Sequence, residues 1–394
     1  MTEDADLPLA GVRVIEFTHM VMGPAAGVIL GDLGADVIKV EPIGGDHTRR
    51  LVGSGAGYFP MYNRNKKSIC LDLKSEQGLK VAARLVRDAD IVIENFRPGA
   101  MDRLGLGFEA LSKVNPGLIY CSEKGFLAGP YEHRTALDEV AQMMGGLAYM
   151  TGPPGKPLRA GASVIDVMGG MFGVIGILAA LKQRESTGRG QLVKSSLFES
   201  AVFLVGQHMA QFAVTGQAAN PMPVRISAWA IYDVFETKDD QQVFVGIVSD
   251  GQWLKFCEAF DLDELAGDEN YRLNADRVSR RDLLMPKVRE LFRQYDKNDL
   301  MEKLEYTGLP FAPIAKPEDM FTDPHMCGSG GLLELALPGG GRAELPGLPL
   351  EMADRRFGVR HDLPEAGQHT AEILARLGFD QKEIREMSED GVVQ

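Results

Sequence analysis

VRVIEFTHMVMGPAAGVILGDLGADVIKVEP, residues 12–42, contains two short apolar runs with a longer apolar run between them. Residues 12–17 and 35–40 are rich in valine and isoleucine and have the length of buried strands. Residues 24–33 begin with a proline, which is favoured in the first turn of a helix. Because consecutive strands joined by a helix lie parallel in one sheet, this segment predicts an α/β fold.

The same alternation continues downstream. It predicts helices at residues 75–88 and 108–114 and strands at residues 90–94 and 118–122. A parallel sheet of this kind binds ligands at the carboxyl ends of its strands. A nicotinamide dehydrogenase is disfavoured, because the turn after the first strand has a single glycine, Gly23, instead of the GxGxxG fingerprint.

Beyond residue 220 the pattern changes to that of a smaller α+β region. Residues 231–248 predict a β-hairpin with its turn at residues 238–240. Helical runs follow at residues 250–260, 279–294 and 296–306. The 394 residues are therefore expected to form two domains. These are a large domain at 1–205, onto which residues 330–394 pack back, and a small domain at 225–325.

An aspartate, Asp166, stands inside the most apolar stretch of the chain, GASVIDVMGGMFGVIGILAAL. Residues 162–165 predict a short strand and residues 167–184 a helix, so Asp166 is expected at a helix N-terminus. Backbone N–H groups there favour an ionised carboxylate. An ionised carboxylate in an apolar pocket is suited to attack an acyl group. The alternative is an ordinary N-cap, because aspartate is among the residues favoured there.

Charge and cysteine content exclude several classes of protein. Lys plus Arg number 42 and Asp plus Glu 55, and the net charge of −13 disfavours binding to nucleic acid or to an anionic membrane. The four cysteines form no CxxC pair, so neither a metal site nor a disulfide framework is predicted, and a cytoplasmic location is expected.

The start lacks an apolar signal segment. The longest apolar run, residues 168–181, is shorter than a membrane span and is interpreted as a buried core helix.

Seven segments, taken in order, resemble the class III CoA-transferases, also called the CaiB/BaiF family, over nearly the whole chain. They are VRVIEFTHMVMGPAAGVILGDLGADVIKVEP from Val12, NRNKKSICLDLKSEQG from Asn63, ENFRPGAMDRLGLGFEAL from Glu94, LDEVAQMMGG from Leu137, IDVMGGMFGVIGILAAL from Ile165, TGRGQLVKSSLFESA from Thr187 and GLPFAPIAKPEDMFTDPH from Gly308. The resemblance implies a large Rossmann-like domain, a smaller domain and an interlocked homodimer.

The resemblance also implies an enzyme that moves coenzyme A from an acyl-CoA to a carboxylic acid, with no permanently bound cofactor. The family's nucleophilic aspartate matches Asp166. Its carboxylate is expected to form an anhydride with the acyl group and then an aspartyl-CoA thioester, from which a second acid takes CoA. Backbone N–H groups near Gly169 or in the loop at residues 20–22 are the candidates that would stabilise the oxyanion.

CoA carries several negative charges and an adenine, so its groove needs cations and a stacking surface. By position, the family's CoA contacts match Met20, Val21, Leu71, Lys74, Asn95, Phe96, Arg103 and Thr135. His19 and Asp138 are candidates for supporting roles, although Asp138 has the alternative of only capping the helix that follows it. Cations from several segments are expected to cluster at the groove: Lys39, Arg64, Lys66, Lys67, Lys74, Arg97, Arg103 and Lys124.

Two alternatives to a CoA-transferase stay open. One is an α-methylacyl-CoA racemase or epimerase, whose fold is the same. Its acid–base pair has a histidine directly before an aspartate, whereas Leu137 precedes Asp138 here, which disfavours it. The other is a CoA-binding protein of the same fold without catalysis, against which the intact surroundings of Asp166 argue.

The acceptor is predicted to be a dicarboxylic acid other than oxalate, with succinyl-CoA as a candidate donor. Formyl-CoA:oxalate transferases have a four-glycine loop before the hairpin, where this chain has PMPVRISAWAIYDVF, and Val21 replaces their loop glutamine. Arg225 lies in that stretch. We hypothesise that its guanidinium binds the distal carboxylate of an acid such as succinate, mesaconate, itaconate or glutarate. The alternative is a surface arginine.

Overall fold

The computed structural model describes residues 6–225 and 227–394, which divide into two compact units. The first unit comprises the residues up to Pro223 and those from Pro324 to Gln394, and the second comprises Val224–Asp323. The first unit is built on a six-stranded sheet in the order β3-β2-β1-β4-β5-β6, with all neighbours parallel. Its strands are β1 (Arg13–Phe17), β2 (Asp36–Glu41), β3 (Lys66–Cys70), β4 (Ile91–Glu94), β5 (Ile119–Lys124) and β6 (Leu192–Ser196).

Helices cover both faces of this sheet. Those before Pro223 are α1 (Met22–Asp32), α2 (Tyr58–Tyr62), α3 (Glu76–Arg87), α4 (Ala100–Arg103), α5 (Phe108–Val114), α6 (Asp138–Met144), α7 (Leu147–Thr151), α8 (Val164–Thr187), α9 (Leu197–Leu204) and α10 (Gly206–Thr215). On one face Leu30 of α1 and Ile177 of α8 share a hydrophobic core with strand residues. On the other face Val81 and Leu85 of α3 do the same.

The second unit has its own hydrophobic core and its own small sheet. The hairpin predicted at residues 231–248 is confirmed, because its two strands pair antiparallel. A third strand pairs with the second strand of the hairpin. The elements are β7 (Tyr232–Glu236), β8 (Gln242–Gly246), α11 (Asp250–Ala259), α12 (Asp263–Ala266), α13 (Asn274–Ser279), α14 (Arg281–Phe292), α15 (Lys297–Glu305) and β9 (Phe311–Pro313).

The chain then returns to the first unit. Ile373, Leu374 and Met387 join the core that contains α3, and Val393 forms a β-bridge with Leu71. The returning elements are α16 (Pro324–Gly328), β10 (Leu332–Ala336), β11 (Arg342–Pro346), β12 (Glu351–Met352), β13 (Arg355–Arg356), α17 (Thr370–Arg376) and α18 (Gln381–Glu389).

The strands and helices predicted within residues 12–122 are confirmed, with ends that differ by two residues at most. The sequence does not predict β3 and β6. β3 reads KKSIC and begins with two lysines, and β6 reads LVKSS, so neither has the apolar character of a central strand. In β3 both lysines are buried and form ion pairs, which a hydropathy pattern does not reveal.

The helix that contains Asp166 differs from its prediction at both ends. The strand predicted at residues 162–165 is wrong, because the helix α8 already begins at Val164. It continues to Thr187 and ends at Gly188, whose φ of 66° suits glycine. Within the described residues, α8 is the one helix long and apolar enough to cross a membrane, although core helices pass the same test. Its interpretation as a buried core helix is only partly right, because 39% of its apolar window is buried.

Candidate active site

Asp166 lies in the first turn of α8, at the edge of the sheet where the parallel strands end. α8 leads into β6, which is parallel to its neighbours, so the helix begins at the carboxyl edge of the sheet. α1 follows β1 and begins at the same edge. The two helices touch there, since a Cβ atom on Gly169 would lie 2.5 Å from Met22 Cε. The loop between β1 and α1 is therefore next to the turn that carries Asp166.

Asp138 caps the helix of Asp166 instead of its own helix. Its Oδ2 atom accepts hydrogen bonds from the N–H groups of Ile165 at 2.9 Å and of Asp166 at 3.1 Å. Ser163, the N-cap residue of α8, provides no side-chain capping bond. The alternative in which Asp138 caps the helix that follows it is therefore wrong. The buried Asp138 carboxylate satisfies two N–H groups of the helix start where Asp166 lies.

The surroundings of Asp166 favour its protonated form. Loss of solvation, followed by the charges of Asp138 and Glu139, raises the pKa of Asp166 to about 7, although Arg159 acts in the opposite direction. The sequence predicts instead that the helix N-terminus keeps this carboxylate ionised. Two nearby carboxylates and burial outweigh that effect. Near neutral pH, Asp166 is therefore divided between the acid and the carboxylate, and only the carboxylate is a nucleophile.

His19, Asn95 and Phe96 form one cluster at the same edge. The His19 N–H group donates to Asn95 Oδ1 at 3.0 Å, and Asn95 Nδ2 donates to the His19 carbonyl at 2.8 Å. The rings of His19 and Phe96 stack with centroids 5.8 Å apart and an angle of 24° between their planes. Loss of solvation lowers the pKa of His19, so its imidazole is neutral near neutral pH. The cluster thus fixes the loop after β1 and presents an aromatic surface.

The neighbouring loop residues differ in their access to a ligand. Met20 is exposed and has a left-handed backbone with φ of 63°, and its N–H group donates to Thr48 Oγ1 at 3.1 Å. Val21 is buried at the start of α1. Leu71 is only 1% exposed and belongs to the hydrophobic core, so its side chain has a packing role. The sequence does not distinguish this buried leucine from an exposed one.

The remaining predicted CoA contacts lie on the surface. Lys74, Arg103 and Thr135 are exposed, in the loop before α3, at the end of α4 and in the segment before α6. A cavity of about 340 Å³ lies beside α4 and is lined by Arg97 and Lys124 among others. Asp166 does not line this cavity, so the cavity is not the centre of the expected reaction.

Most of the cations expected at a CoA groove form ion pairs within the fold. Lys39 and Lys66 are fully buried, and both contact Glu16. The remaining pairs are Arg64 with Asp32, Lys67 with Asp36, and Lys124 with Glu94. The predicted cation cluster is therefore wrong for the four buried side chains among these, because acids on neighbouring elements neutralise them: Lys39, Arg64, Lys66 and Lys67. Lys124 lines the cavity beside α4, so its place in the cluster stays a prediction. A charge pattern along the sequence does not show which acid each lysine meets.

A second buried carboxyl group, which the sequence does not predict, lies near Asp166. Neither oxygen of Glu123 in β5 has a hydrogen-bond partner among the described residues, and Gly173 of α8 packs over it. Burial raises the pKa of Glu123 well above its usual range, and so do Glu16, Glu94 and Asp166. These surroundings therefore favour the acid form of Glu123 over its carboxylate. Its position in the run LIYCSEKG, which ends a strand, contains no signal of this role.

Three other side chains that the sequence does not predict support the same turn. Burial, followed by the charge of Asp166, raises the pKa of Tyr62 above its usual value, which identifies Tyr62 as a neighbour of Asp166. Gln142 donates to Asp138, and Arg159 Nη2 lies 3.5 Å from Asp138 Oδ1. Only the spacing of Asp138 and Gln142, four residues apart on one helix face, is a signal readable in the sequence.

Comparisons with known proteins agree with the resemblance. The family model for CoA-transferase family III matches residues 9–370. A crystal structure of a CaiB/BaiF family protein from Brucella suis superposes with a TM-score of 0.82. It is 34% identical, and the match covers 94% of this chain and 99% of that one.

Two relatives with named activities match over most of their length. A succinyl-CoA:glutarate CoA-transferase from Mus musculus is 34% identical over 99% of this chain and 91% of its own. The alpha subunit of a succinyl-CoA–L-malate CoA-transferase from Chloroflexus aurantiacus is 31% identical over 95% of this chain and 90% of its own. With a family model that spans the chain and relatives of this identity, the protein belongs to CoA-transferase family III.

Proposed function

We propose that this CoA-transferase moves CoA from succinyl-CoA to a dicarboxylic acid, with Asp166 as its nucleophile. The observation that carries the proposal is the position of Asp166 in the first turn of α8, beside the loop after β1. The relatives named for glutarate and L-malate support a succinyl donor and a dicarboxylate acceptor. Acyl-CoA is a substrate, and no permanently bound cofactor is proposed.

The first half of the reaction loads CoA onto Asp166. A carboxylate oxygen of Asp166 attacks the thioester carbonyl carbon, the C–S bond breaks, and CoA leaves as a thiolate. The thiolate then attacks Cγ of Asp166 in the resulting anhydride. The anhydride C–O bond breaks, the donor acid leaves as a carboxylate, and an aspartyl-CoA thioester remains.

The second half reverses these steps with a different acid. A carboxylate oxygen of the acceptor attacks Cγ of Asp166 and expels CoA thiolate, which forms a second anhydride. The thiolate attacks the acyl carbon of the acceptor, and Asp166 is released as a carboxylate. Each step exchanges one activated acyl bond for another of similar energy, so the proposed reaction includes neither ATP nor a metal. Water must be excluded because it would hydrolyse the anhydrides and the thioester.

The sequence suggests N–H groups near Gly169 as oxyanion donors. The Gly169 N–H group lies inside the helix α8, so this expectation is not supported. The N–H groups of Ile165 and Asp166 already bond to Asp138. The N–H groups of His19 and Met20 likewise bond to Asn95 and Thr48. We therefore propose that the N–H groups of Val21 and Met22 supply the donors, together with His19 as a supporting side chain.

The experiment that tests the function is CoA exchange followed by mass spectrometry. Purified protein is mixed with succinyl-CoA and a panel of acids: glutarate, malate, itaconate, mesaconate, oxalate and acetate. We expect new acyl-CoA species with the longer dicarboxylates. Deuterium uptake at the α-carbon of a branched acyl-CoA without exchange would favour the racemase alternative. CoA binding with neither reaction would favour the non-catalytic alternative.

The raised pKa of Asp166 predicts a pH dependence. Because only the carboxylate attacks, kcat/KM should rise with pH through about 7, the pKa of Asp166 in the free enzyme. In Asp138→Asn the amide oxygen still accepts N–H bonds, but the charge that raises this pKa is absent. The acid limb of the kcat/KM profile should therefore move to lower pH.

The matched control for this prediction is Glu139→Gln. Glu139 is the weaker of the two acidic causes and is more exposed, so its replacement should move the acid limb less. The measurement is kcat/KM of the wild type and of both variants at a series of pH values from acid to alkaline. An acid limb that stays in place in Asp138→Asn would show that the Asp138 charge does not act on Asp166.

Arg225 remains our candidate for recognition of the distal carboxylate. If its guanidinium makes charge-assisted hydrogen bonds, Arg225→Ala should raise KM for dicarboxylate acceptors about tenfold or more. KM for a monocarboxylate should not change. Arg272→Ala, an exposed arginine of the same unit, serves as the control. Equal KM values for glutarate in the wild type and in Arg225→Ala would eliminate this role.

We also propose that the chain acts as a homodimer and in the cytoplasm. An apolar surface that runs along α8, α9 and α10 is exposed in the single chain, with Ile175 57% and Phe203 70% exposed. Such a surface is typical of a covered interface. Sedimentation of the purified chain should give twice the monomer mass, whereas the monomer mass would contradict the homodimer. Cys70, Cys121 and Cys257 are buried thiols, in keeping with a reducing compartment.

A further inference from the structure

Two buried lysines bind the two ends of residues 18–24, a segment that comprises the loop between β1 and α1 and the first three residues of α1. Lys39 Nζ in β2 donates to the carbonyl of Thr18 at 2.8 Å. Lys66 Nζ in β3 donates to the carbonyl of Pro24 at 3.0 Å. Both side chains are fully buried. One ammonium group therefore holds the start of this segment, and the other holds its end in the first turn of α1.

Both lysines share one carboxylate, that of Glu16 in β1. Lys39 lies 3.3 Å from Glu16 Oε1, and Lys66 lies 2.7 Å from Glu16 Oε2. Asp46 lies 3.2 Å from Lys39, so the cluster has two acids and two cations. It fits under α1 only because residue 27 is glycine, since a Cβ atom there would lie 1.8 Å from Glu16 Oε2.

The cluster also reaches the middle of the loop. Asp46 Oδ1 accepts hydrogen bonds from both the N–H group and the hydroxyl of Thr48. Thr48 Oγ1 accepts the N–H group of Met20, whose φ of 63° is an unusual conformation for a residue other than glycine. Such a conformation persists where surrounding contacts determine it. The segment 18–24 is therefore bound to the cluster at three places, two in the loop and one in the first turn of α1.

Stability alone does not explain a buried cluster of this kind. Ions lose their hydration on burial, and apolar replacements of whole buried ion pairs are often neutral or stabilising. Burial opposes the charge of each group, but Glu16 and Asp46 raise the pKa of Lys39, and Lys66 and Lys39 lower the pKa of Glu16. Burial lowers the pKa of Lys66 to about 8, which leaves it mainly charged at neutral pH.

We propose that Glu16, Lys39 and Lys66 are positioning residues, which hold the backbone of residues 18–24 in the shape that presents the acyl-CoA thioester to Asp166. None of the three is accessible to a ligand, so they act through the loop. The loop in turn touches the Asp166 helix through Met22 and carries His19, which stacks on Phe96. This inference rests on the proposed function for the identity of the ligand.

The test compares Lys66→Met with Lys67→Met. Both remove a lysine from β3, but Lys67 points away from the loop and pairs with Asp36. In Lys66→Met we expect KM for the acyl-CoA to rise about tenfold or more, because small misplacements of a binding element have effects of that size. Amide hydrogen exchange in residues 18–24 should become faster. Lys67→Met should match the wild type in both measurements.

A double variant separates positioning from folding. Glu16→Gln with Lys66→Met removes one charge of each sign, so it should unfold at a temperature closer to that of the wild type than Lys66→Met does. It still lacks the donor to the Pro24 carbonyl, so KM should stay high and the loop should still exchange quickly. A folded single or double variant with wild-type KM and wild-type loop exchange would overturn the inference.

Failure of the proposed function and failure of the positioning role give different experimental results. If the wild type transfers no CoA to any acid in the panel, the function is wrong. The exchange rates of residues 18–24 still decide whether Lys66 holds the loop, because that measurement needs no substrate. If the wild type is active and Lys66→Met changes neither KM nor exchange, only the positioning role fails.

Discussion

Replacing Asp166 with alanine should lower the rate of CoA transfer by about a thousandfold or more, since removal of a nucleophile from a covalent mechanism has effects of at least this size. Both halves of the proposed reaction pass through Cγ of this side chain. Neither of the two other buried carboxyl groups described near Asp166 is equivalent, because the charge of Asp138 caps α8 and burial raises the pKa of Glu123 well above its usual range. The measurement is the initial rate of acyl-CoA formation by mass spectrometry.

The matched control is Asp282→Ala. Asp282 also lies in the first turn of a helix, α14, but is exposed, so its loss should leave the rate unchanged. A further readout is trapping of the thioester: wild-type protein incubated with succinyl-CoA should gain the mass of CoA less one water, because one oxygen of Asp166 leaves with succinate, and Asp166→Ala should not. Transfer by Asp166→Ala at more than a tenth of the wild-type rate would exclude Asp166 as the nucleophile.

Replacing Asp166 with asparagine should not destabilise the protein. The pKa of Asp166 is raised to about 7 from an unfolded value near 3.8, so the folded state binds the proton more tightly than the unfolded state. Stability is therefore lost as the pH rises from about 4 toward 7, where the unfolded carboxyl group ionises first. At pH 8 the isosteric variant Asp166→Asn should be at least as stable as the wild type. The ionised nucleophile Asp166 therefore lowers the stability of the folded protein at neutral and alkaline pH.

The largest expected effect on folding comes from Asp32 in α1. Its carboxylate lies 2.6 Å from Arg64 Nη2 and also accepts a hydrogen bond from Asn65 at 2.8 Å. Asp32 and Arg64 are only 1% and 2% exposed. Asp32→Ala would leave a guanidinium buried without its counter-charge, which costs about 3–5 kcal/mol in comparable cases. We therefore expect a fall of that size in the free energy of unfolding.

Urea unfolding of the wild type, Asp32→Ala and Asp36→Ala measures this effect. Asp36 is 36% exposed and pairs with Lys67, so its removal should change the free energy of unfolding by about 1 kcal/mol or less. The double variant Asp32→Ala with Arg64→Met removes both charges and should recover part of the loss. A change below about 1 kcal/mol in Asp32→Ala would show that water reaches Arg64.

The local sequence determined the framework of the first unit. Apolar runs of strand length, separated by helical runs, specify β1, α1, β2, α3, β4, α5 and β5 with ends correct to two residues. Parallel order follows, because each connection contains a helix. The apolar run around Asp166 likewise marks this aspartate as unusual from its neighbours in the chain alone, because a carboxyl group is costly to bury.

Only the tertiary structure decided what the charged side chains do. Lys39 and Lys66 have the appearance of ligand-binding cations in the sequence, but the sheet order β3-β2-β1 places both against Glu16. Asp138 lies 28 residues before Asp166, and only the packing of α6 beside the start of α8 lets it cap that helix and raise the pKa of Asp166. Ion pairs and caps depend on distances between atoms far apart in the chain, and a hydropathy pattern contains no such distances.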